Sequence, residues 1–392
     1  MKEEPYVSED EVLGLISKRT VLSEGEDAVR RVLREIYRRG RVGTKDLAYA
    51  TLLPIPVVAA IRRELERIGL ITRRGGAMLT ECGRIYAEQA LGLKFRGSLL
   101  CPSCSGRRIA VEDEFRWMLE KMRVYAEMRP RPYTWLDQAF CTPETSVYRA
   151  LLMLEEGDVE GREIIFLGDD DLTSVAVGLL RSSRRIVVVD VDERLLSLIG
   201  EISRHEGMDI ECIRHDLRDP LPEDLRGRFD VVFTDPPYTV QGMSLFVSRG
   251  IDALKEGKCM SIYLSYAHKP PDEMLELQRA INEMGLFIRE LIPRFNRYEG
   301  AEMFANTTFI AKLETTDEAH PLITGRFDGK IYTGEASPKL RLYKCRCGHT
   351  ISVGVDGDFR TIEDLKSSGC PRCGRKSGFQ LVRRIPHRPA RG

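Results

Sequence analysis

Two short acidic stretches hold the residue types in this 392-residue chain that could do chemistry. Gly168-Asp169-Asp170-Asp171-Leu172-Thr173-Ser174 sets three carboxylates in a row after a β-branched run, and Asp235-Pro236-Pro237-Tyr238-Thr239 follows another such run. One Asp suffices to cap a helix, whereas three adjacent carboxylates repel one another unless a positively charged guest offsets the repulsion. Asp169, Asp170 and Asp171 are therefore candidates to bind a polycation. In the second stretch two prolines stiffen the loop, so that one carboxylate and one aromatic face are held beside an amine about to attack a sulfonium carbon. The attacking nitrogen must be unprotonated. Asp235 can take up its proton, and Pro236 and Tyr238 can line the path of the alkyl chain, the tyrosine ring also facing a cation. Which of Asp170, Asp171 and Asp235 stands nearest the nitrogen is left open by the sequence.

The donor can be read from the same residues. A common S-adenosylmethionine enzyme offers a Gly-rich loop and a helix N-terminus to the methionine carboxylate at the position of Gly168. Asp169 and its neighbours would repel that carboxylate and favour a donor that has lost it and keeps a cationic aminopropyl arm. Asp190, with Asp192 just beyond, ends the next β-branched run, where a carboxylate commonly accepts both ribose hydroxyls. Asp216 is the matching candidate for an adenine amino group, and Gln138 and Glu144 either line the cofactor side or cap helices.

These loops need a frame. REIIFLG, RRIVVVD, IECIRHD, FDVVFTD, CMSIYLSY, IRELIPRF and TTFIAKLE are seven strand candidates alternating with helical stretches, the last two close enough for an antiparallel edge hairpin. The pattern predicts an α/β domain with a mostly parallel, doubly wound sheet, similar to the Rossmann-like class I methyltransferase fold, with the acidic motifs at the carboxyl ends of the strands. Upstream, GEDAVRRVLREIYRRG, a helix after Thr44 as cap, and IPVVAAIRRELERIGL precede ITRRGGAMLT, two short strands about Gly75-Gly76. Three helices and a hairpin resemble a winged helix-turn-helix. Arg62, Arg63, Arg67, Arg73 and Arg74 could meet phosphates there, but interleaved Glu64, Glu66 and Glu81 favour a packing role. The expected division is 1–95 winged-helix-like, 96–160 helical linker, 161–315 catalytic and 316–392 a zinc-ribbon-like extension.

Composition bounds the rest. Lys+Arg and Asp+Glu are both 60, so the chain has no overall cationic excess, and we expect no nucleic-acid partner. The acidic N-terminus lacks an apolar leader, and no stretch reaches a membrane span, so a cytoplasmic protein without a membrane partner is expected. Ten cysteines include Cys345, Cys347, Cys370 and Cys373, which have the two-knuckle layout of a structural Zn²⁺ site, with His349 as a substitute ligand. Cys101 and Cys104 are half of such a site, and the six histidines show no metal or triad spacing.

GDDDLTS together with FTDPPYT resembles the branched-chain polyamine synthase family of thermophilic archaea and bacteria, over residues from about 20 to 320. The resemblance implies a winged-helix-like domain before a Rossmann-like one. It also implies transfer of aminopropyl groups from decarboxylated S-adenosylmethionine, the co-substrate, to the internal secondary amine of spermidine. The products would be N4-aminopropylspermidine, then N4-bis(aminopropyl)spermidine, with methylthioadenosine released. A homodimer acting on spermidine and other polyamines is expected. The alternatives are an S-adenosylmethionine-dependent amino-methyltransferase of DNA or RNA, in which DPPY also occurs, and a DNA-reading regulator without turnover.

Overall fold

The computed structural model describes residues 12–20, 25–73, 75–97, 101, 103–299, 306–333, 339–354, 357–359 and 362–386. Arg74 and His387 lie outside them. Helices α1 (Val12–Thr20), α2 (Glu26–Arg39), α3 (Thr44–Thr51) and α4 (Ile55–Arg67) are followed by the two-residue strands β1 (Ile71–Thr72) and β2 (Met78–Leu79), which pair antiparallel, and by α5 (Glu81–Gln89). Apolar residues at helical spacing, Val29, Val32, Leu33 and Ile36, close a core of their own with Val58, Ile61 and Leu65. Thr44 is the first residue of α3 rather than its cap. Gly43 takes that place, and the Thr44 hydroxyl is held by Arg62 instead.

Seven strands form the central sheet: β3 (Glu163–Leu167), β4 (Arg185–Asp190), β5 (Ile210–Arg214), β6 (Val231–Thr234), β7 (Ser261–Ala267), β8 (Leu286–Arg297) and β9 (Thr307–Thr315). Their order is β5-β4-β3-β6-β7-β9-β8, parallel through β7, with β9 antiparallel to both neighbours. The final hairpin thus turns back into the sheet, and β8 takes the edge. Period-two alternation divides each strand between two cores: Ile164 and Phe166 face one, Ile165 and Leu167 the other. The second core is covered by α10 (Val240–Ala253) and α11 (Pro271–Glu283).

The first core is covered by α8 (Thr173–Leu179) and α9 (Glu193–Glu206), together with α6 (Arg116–Glu127) and α7 (Pro143–Glu155). The last two helices lie in the expected linker, yet Met118, Met122, Val147 and Leu151 belong to the core on this face of the sheet, α7 meeting β8 and α8, and α6 lying against α7 and α8. The opening of the expected extension behaves likewise: Ile331 and Tyr332 pack on Leu245 of α10, and Arg249 is fully buried with Ile323 and Gly325 carbonyls as acceptors. Beyond it stands a separate three-stranded unit, ordered β11-β10-β12, of β10 (Lys339–Cys345), β11 (Thr350–Val353) and β12 (Phe379–Pro386), with α12 (Ile362–Ser368). No single helix among the described residues is long and apolar enough to cross a membrane.

Candidate functional site

Four of the five parallel strands, β3 to β6, end in a turn that delivers a carboxylate to one crevice. After β3 the chain turns at Gly168 (φ 75°), a conformation that a side chain would strain, and Leu172 (φ 56°) is also left-handed though fully buried. The three consecutive aspartates between them consequently point to different places. Asp169 accepts from Thr173 N (2.7 Å) and Ser174 N (3.0 Å) and caps α8, and burial pushes its carboxyl up to about 7. Asp171 turns toward the start of α7, and its Oδ1 accepts from Cys141 N (2.5 Å), two residues before that helix. Asp170, between them, faces the crevice and meets no hydrogen-bond donor among the described residues. Burial, and then Asp171, Asp235, Asp190 and Asp169, raise its carboxyl well above the usual range.

At the centre stands a residue that sequence reasoning missed. Arg149 of α7 is 0% exposed and spends all five N–H donors. Nη1 reaches Asp171 Oδ2 (2.6 Å) and Thr173 Oγ1 (3.2 Å), Nη2 reaches Asp235 Oδ2 (2.6 Å) and the Tyr298 hydroxyl (2.8 Å), and Nε reaches Asn296 Oδ1 (2.9 Å). Asn296 is itself fixed by Ser265, Thr308 and the Phe309 carbonyl. Asp235 accepts from Tyr298 (2.5 Å) through Oδ2 and from Tyr238 (2.9 Å) through Oδ1. Its carboxyl sits at about 6, because burial and Asp171 raise it against the pull of Arg149. A charged side chain in the otherwise apolar run VYRALLML was the available signal. Its partners, up to 149 residues away, had none.

The crevice, roughly 790 Å³ and open to solvent, is lined by Asp137, Gln138, Gly168, Asp170, Asp190, Asp216, Asp235, Pro236 and Tyr238. Phe246, Tyr298, Ile331 and Tyr332 supply its apolar and aromatic faces. No lysine or arginine is among the described residues that line it. The structure thus gathers Gly168, Asp170, Asp190, Asp216, Asp235, Pro236, Tyr238 and Gln138 of the expected set, and sets Asp169, Asp171 and Asp192 behind them as supports. Asp190 accepts from Asp169 N (3.1 Å) and Asp192 N (2.8 Å), and burial raises its carboxyl. Asp192 is taken up by Gln138 Nε2 (3.1 Å) and Arg194 Nη2 (2.6 Å). Despite its burial, Arg194 and Gln138 hold it below the ordinary value. Glu144 pairs with Arg123 outside the crevice. His215, expected to have only a packing or surface role, lines the crevice wall. Asp137 was also overlooked: it accepts from Thr333 N (2.6 Å) and Oγ1 (2.7 Å) and so ties the strap bearing Ile331 and Tyr332 across the opening.

Residues 117–365 match the model of the branched-chain polyamine synthase A C-terminal domain. The chain belongs to the branched-chain polyamine synthase family. The chain is 48% identical over 375 residues to an uncharacterised protein of Methanocaldococcus jannaschii, covering 95% of this chain and 93% of that one. It is 36% identical over 293 residues to the N(4)-bis(aminopropyl)spermidine synthase of Thermococcus kodakarensis, covering 74% and 82%. The crystal structure of the branched-chain polyamine synthase from Thermus thermophilus, in complex with N4-aminopropylspermidine and 5'-methylthioadenosine, matches with a TM-score of 0.68 at 29% identity. That match covers 82% of this chain and 96% of the other.

The family match stops before Cys370 and Cys373, the second half of the cysteine cluster. The ligand atoms of Cys345, Cys347, Cys370 and Cys373 lie within 4.8 Å of one another, with Cys345–Cys373 and Cys347–Cys370 Sγ separations of 3.7 Å. Four thiolates about 2.3 Å from a tetrahedral Zn²⁺ would stand roughly 3.8 Å apart, so the donors fit that ion. A backbone hydrogen bond from His349 and the neighbouring sulfurs hold the Cys347 thiol down to about 7, while Cys373, despite a backbone hydrogen bond from Arg375, is raised to about 11 by Cys347, so the cluster loses its protons as one interacting group. His349 is not part of the cluster, and neither Cys101 nor Cys104 belongs to a metal-binding group among the described residues.

Proposed function

We propose that this synthase-family chain is an aminopropyltransferase that moves aminopropyl groups from decarboxylated S-adenosylmethionine to N4 of spermidine. It gives N4-aminopropylspermidine, then N4-bis(aminopropyl)spermidine, and releases methylthioadenosine. One observation carries the reading: a crevice lined by Asp137, Asp170, Asp190, Asp216 and Asp235 has no lysine or arginine among its described lining residues. Such a surface lowers the free energy of guests that are wholly positive and opposes a methionine carboxylate or a phosphodiester.

The adenosine lies at the Asp190–Asp216 end, its ribose hydroxyls donating to lone pairs that Asp190 has left after binding two backbone N–H groups. Spermidine lies toward Asp170, Asp235 and Tyr238. The N4 lone pair attacks the carbon attached to sulfur, the carbon–sulfur pair leaves on the neutral thioether, and the nitrogen's proton passes to Asp170. Asp171 and Asp235 are both held by Arg149, whereas Asp170 has a free carboxylate and a raised proton affinity suited to that transfer. In the second round a tertiary amine attacks, no proton is lost, and the same carboxylates stabilise the quaternary cation. Arg149, Asn296, Tyr298 and Tyr238 orient Asp235 without touching the reacting atoms. We assign α2 to α4 with β1–β2 to a winged helix-turn-helix-like unit. The catalytic unit takes in α6, α7 and the segment to Thr333, and the four-cysteine tail is a zinc-ribbon-like module.

The test is donor choice. Spermidine supplied with decarboxylated S-adenosylmethionine should yield both branched products and methylthioadenosine, while the ordinary donor should yield nothing. Methyl transfer from the ordinary donor to spermidine or to nucleic acid would overturn the assignment.

A further inference from the structure

Although Lys+Arg and Asp+Glu balance over the whole chain, charge is not evenly distributed. Between residues 339 and 386 stand eleven Lys and Arg against four Asp and Glu. A tetrathiolate site holding a divalent ion carries a formal 2−, so the unit stays cationic with its metal bound. Arg346 lies between Cys345 and Cys347, Arg372 between Cys370 and Cys373, and Arg375 and Lys376 follow at once. Because the four sulfurs converge within 4.8 Å, the residues that flank the cysteines in sequence, Lys344 among them, belong to the same end of the unit. All five are exposed, as is Arg383 on β12, opposite Leu342 of β10. None of the six has a carboxylate partner among the described residues.

Most arginines on and just after α4 differ: Arg73 is paired with Glu66, Arg67 with Glu64, and Arg62 is buried on Thr44, while Arg63 is exposed without an ion pair among the described residues. An exposed set of cationic side chains that make no ion pair in their own fold is complementary to a polyanion. Tyr343, Phe359 and Phe379 pack against the unit's own core, leaving no described aromatic platform on which single-stranded bases could stack. Phosphates at duplex density remain the matching target.

We propose that the four-cysteine module docks the enzyme on duplex DNA through phosphate contacts alone, without reading sequence. The balanced composition of the whole chain conceals this surface, because a more acidic remainder cancels it. The inference does not depend on the reaction assigned above.

The test uses the full zinc-loaded chain, without polyamines, and fluorescence anisotropy on a labelled duplex of arbitrary sequence. Binding should weaken steeply between about 50 and 200 mM salt, with a log–log slope near −4 for four to five neutralised phosphates. A second duplex of unrelated sequence should bind equally well. The triple variant R372E/R375E/K376E should lose more than about tenfold in affinity and flatten the slope by about 2 to 3, with aminopropyl transfer unchanged. Because those residues adjoin metal ligands, R383E, ten residues beyond Cys373, is measured beside it, with zinc content assayed in both, and should weaken binding at full zinc occupancy. Absence of salt-dependent binding, undiminished binding by both zinc-replete variants, or loss of binding only on removing Arg63 of the N-terminal unit would overturn the proposal.

Discussion

The crevice and the four-cysteine module each crowd like groups that repel one another when ionised, and each is relieved by a cation, but the source of the cation differs. In the crevice the fold supplies part of it: Arg149 is buried between Asp171 and Asp235 and uses every donor it has. In the module no lysine or arginine among the described residues donates to a sulfur: the four converge on one another, and the cationic side chains beside them are exposed. A site with an internal counter-charge keeps its shape before the guest arrives, whereas a site without one takes its shape from the guest. The crevice is therefore preorganised for passing substrates, and the module is tied to a resident ion.

Breaking the internal cation should give the largest effect. Arg149→Met leaves Asp171 and Asp235 buried and unpaired, which costs about 3–5 kcal/mol and should abolish turnover. Arg149→Lys keeps the charge and loses the planar fork, so it should recover stability in part and activity hardly at all. Thermal unfolding followed beside product formation checks both, and a stable, active Arg149→Met would show the clamp to be dispensable. Asp170→Asn tests the opposite case, a carboxylate that the fold leaves unpaired. It should lower kcat by about 10²–10⁴-fold while the melting temperature holds or rises, because like-charge repulsion is removed. Wild-type rates would move the base to Asp235.

This division of labour was only partly legible in the sequence. Strand ends could be read because β-branched runs stop at Gly or Asp-Pro, and the sheet that positions them followed from that alternation. The three aspartates could be read as a group and not singly: local spacing says that a capping turn exists, but left-handed Leu172 decides that Asp169 caps, Asp171 turns inward and Asp170 faces the crevice. Arg149, Asn296 and Tyr298 meet through tertiary packing of α7 on β8, which no local pattern encodes. Ile331 and Tyr332 reach the crevice from a segment whose polarity suggested a tail.

The metal-dependent region should respond to chelation by losing stability first. Removing Zn²⁺ should lower the unfolding temperature of the module's transition by several degrees, leaving initial rates of aminopropyl transfer within about twofold, since the loss of a structural ion is a folding effect. Immediate inactivation with no change in unfolding would contradict a structural metal.

The smallest effect sharpens the comparison through pH. Asp169 is pushed up to about 7 and Asp235 to about 6, and Asp170 and Asp190 are raised as well, all above unfolded values near 4. Groups raised in the folded state bind more protons there than in the unfolded chain. Their contribution to stability is full at low pH and is lost as pH rises through the folded values. The ligand-free enzyme should therefore melt a few degrees lower at pH 8 than at pH 5.5. Saturating spermidine should flatten that dependence, because its ammonium groups favour the ionised carboxylates and pull the folded values back down. Asp170→Asn should show a shallower pH dependence without ligand and a smaller response to spermidine. If spermidine stabilises the protein equally at both pH values, the carboxylates are not what it meets.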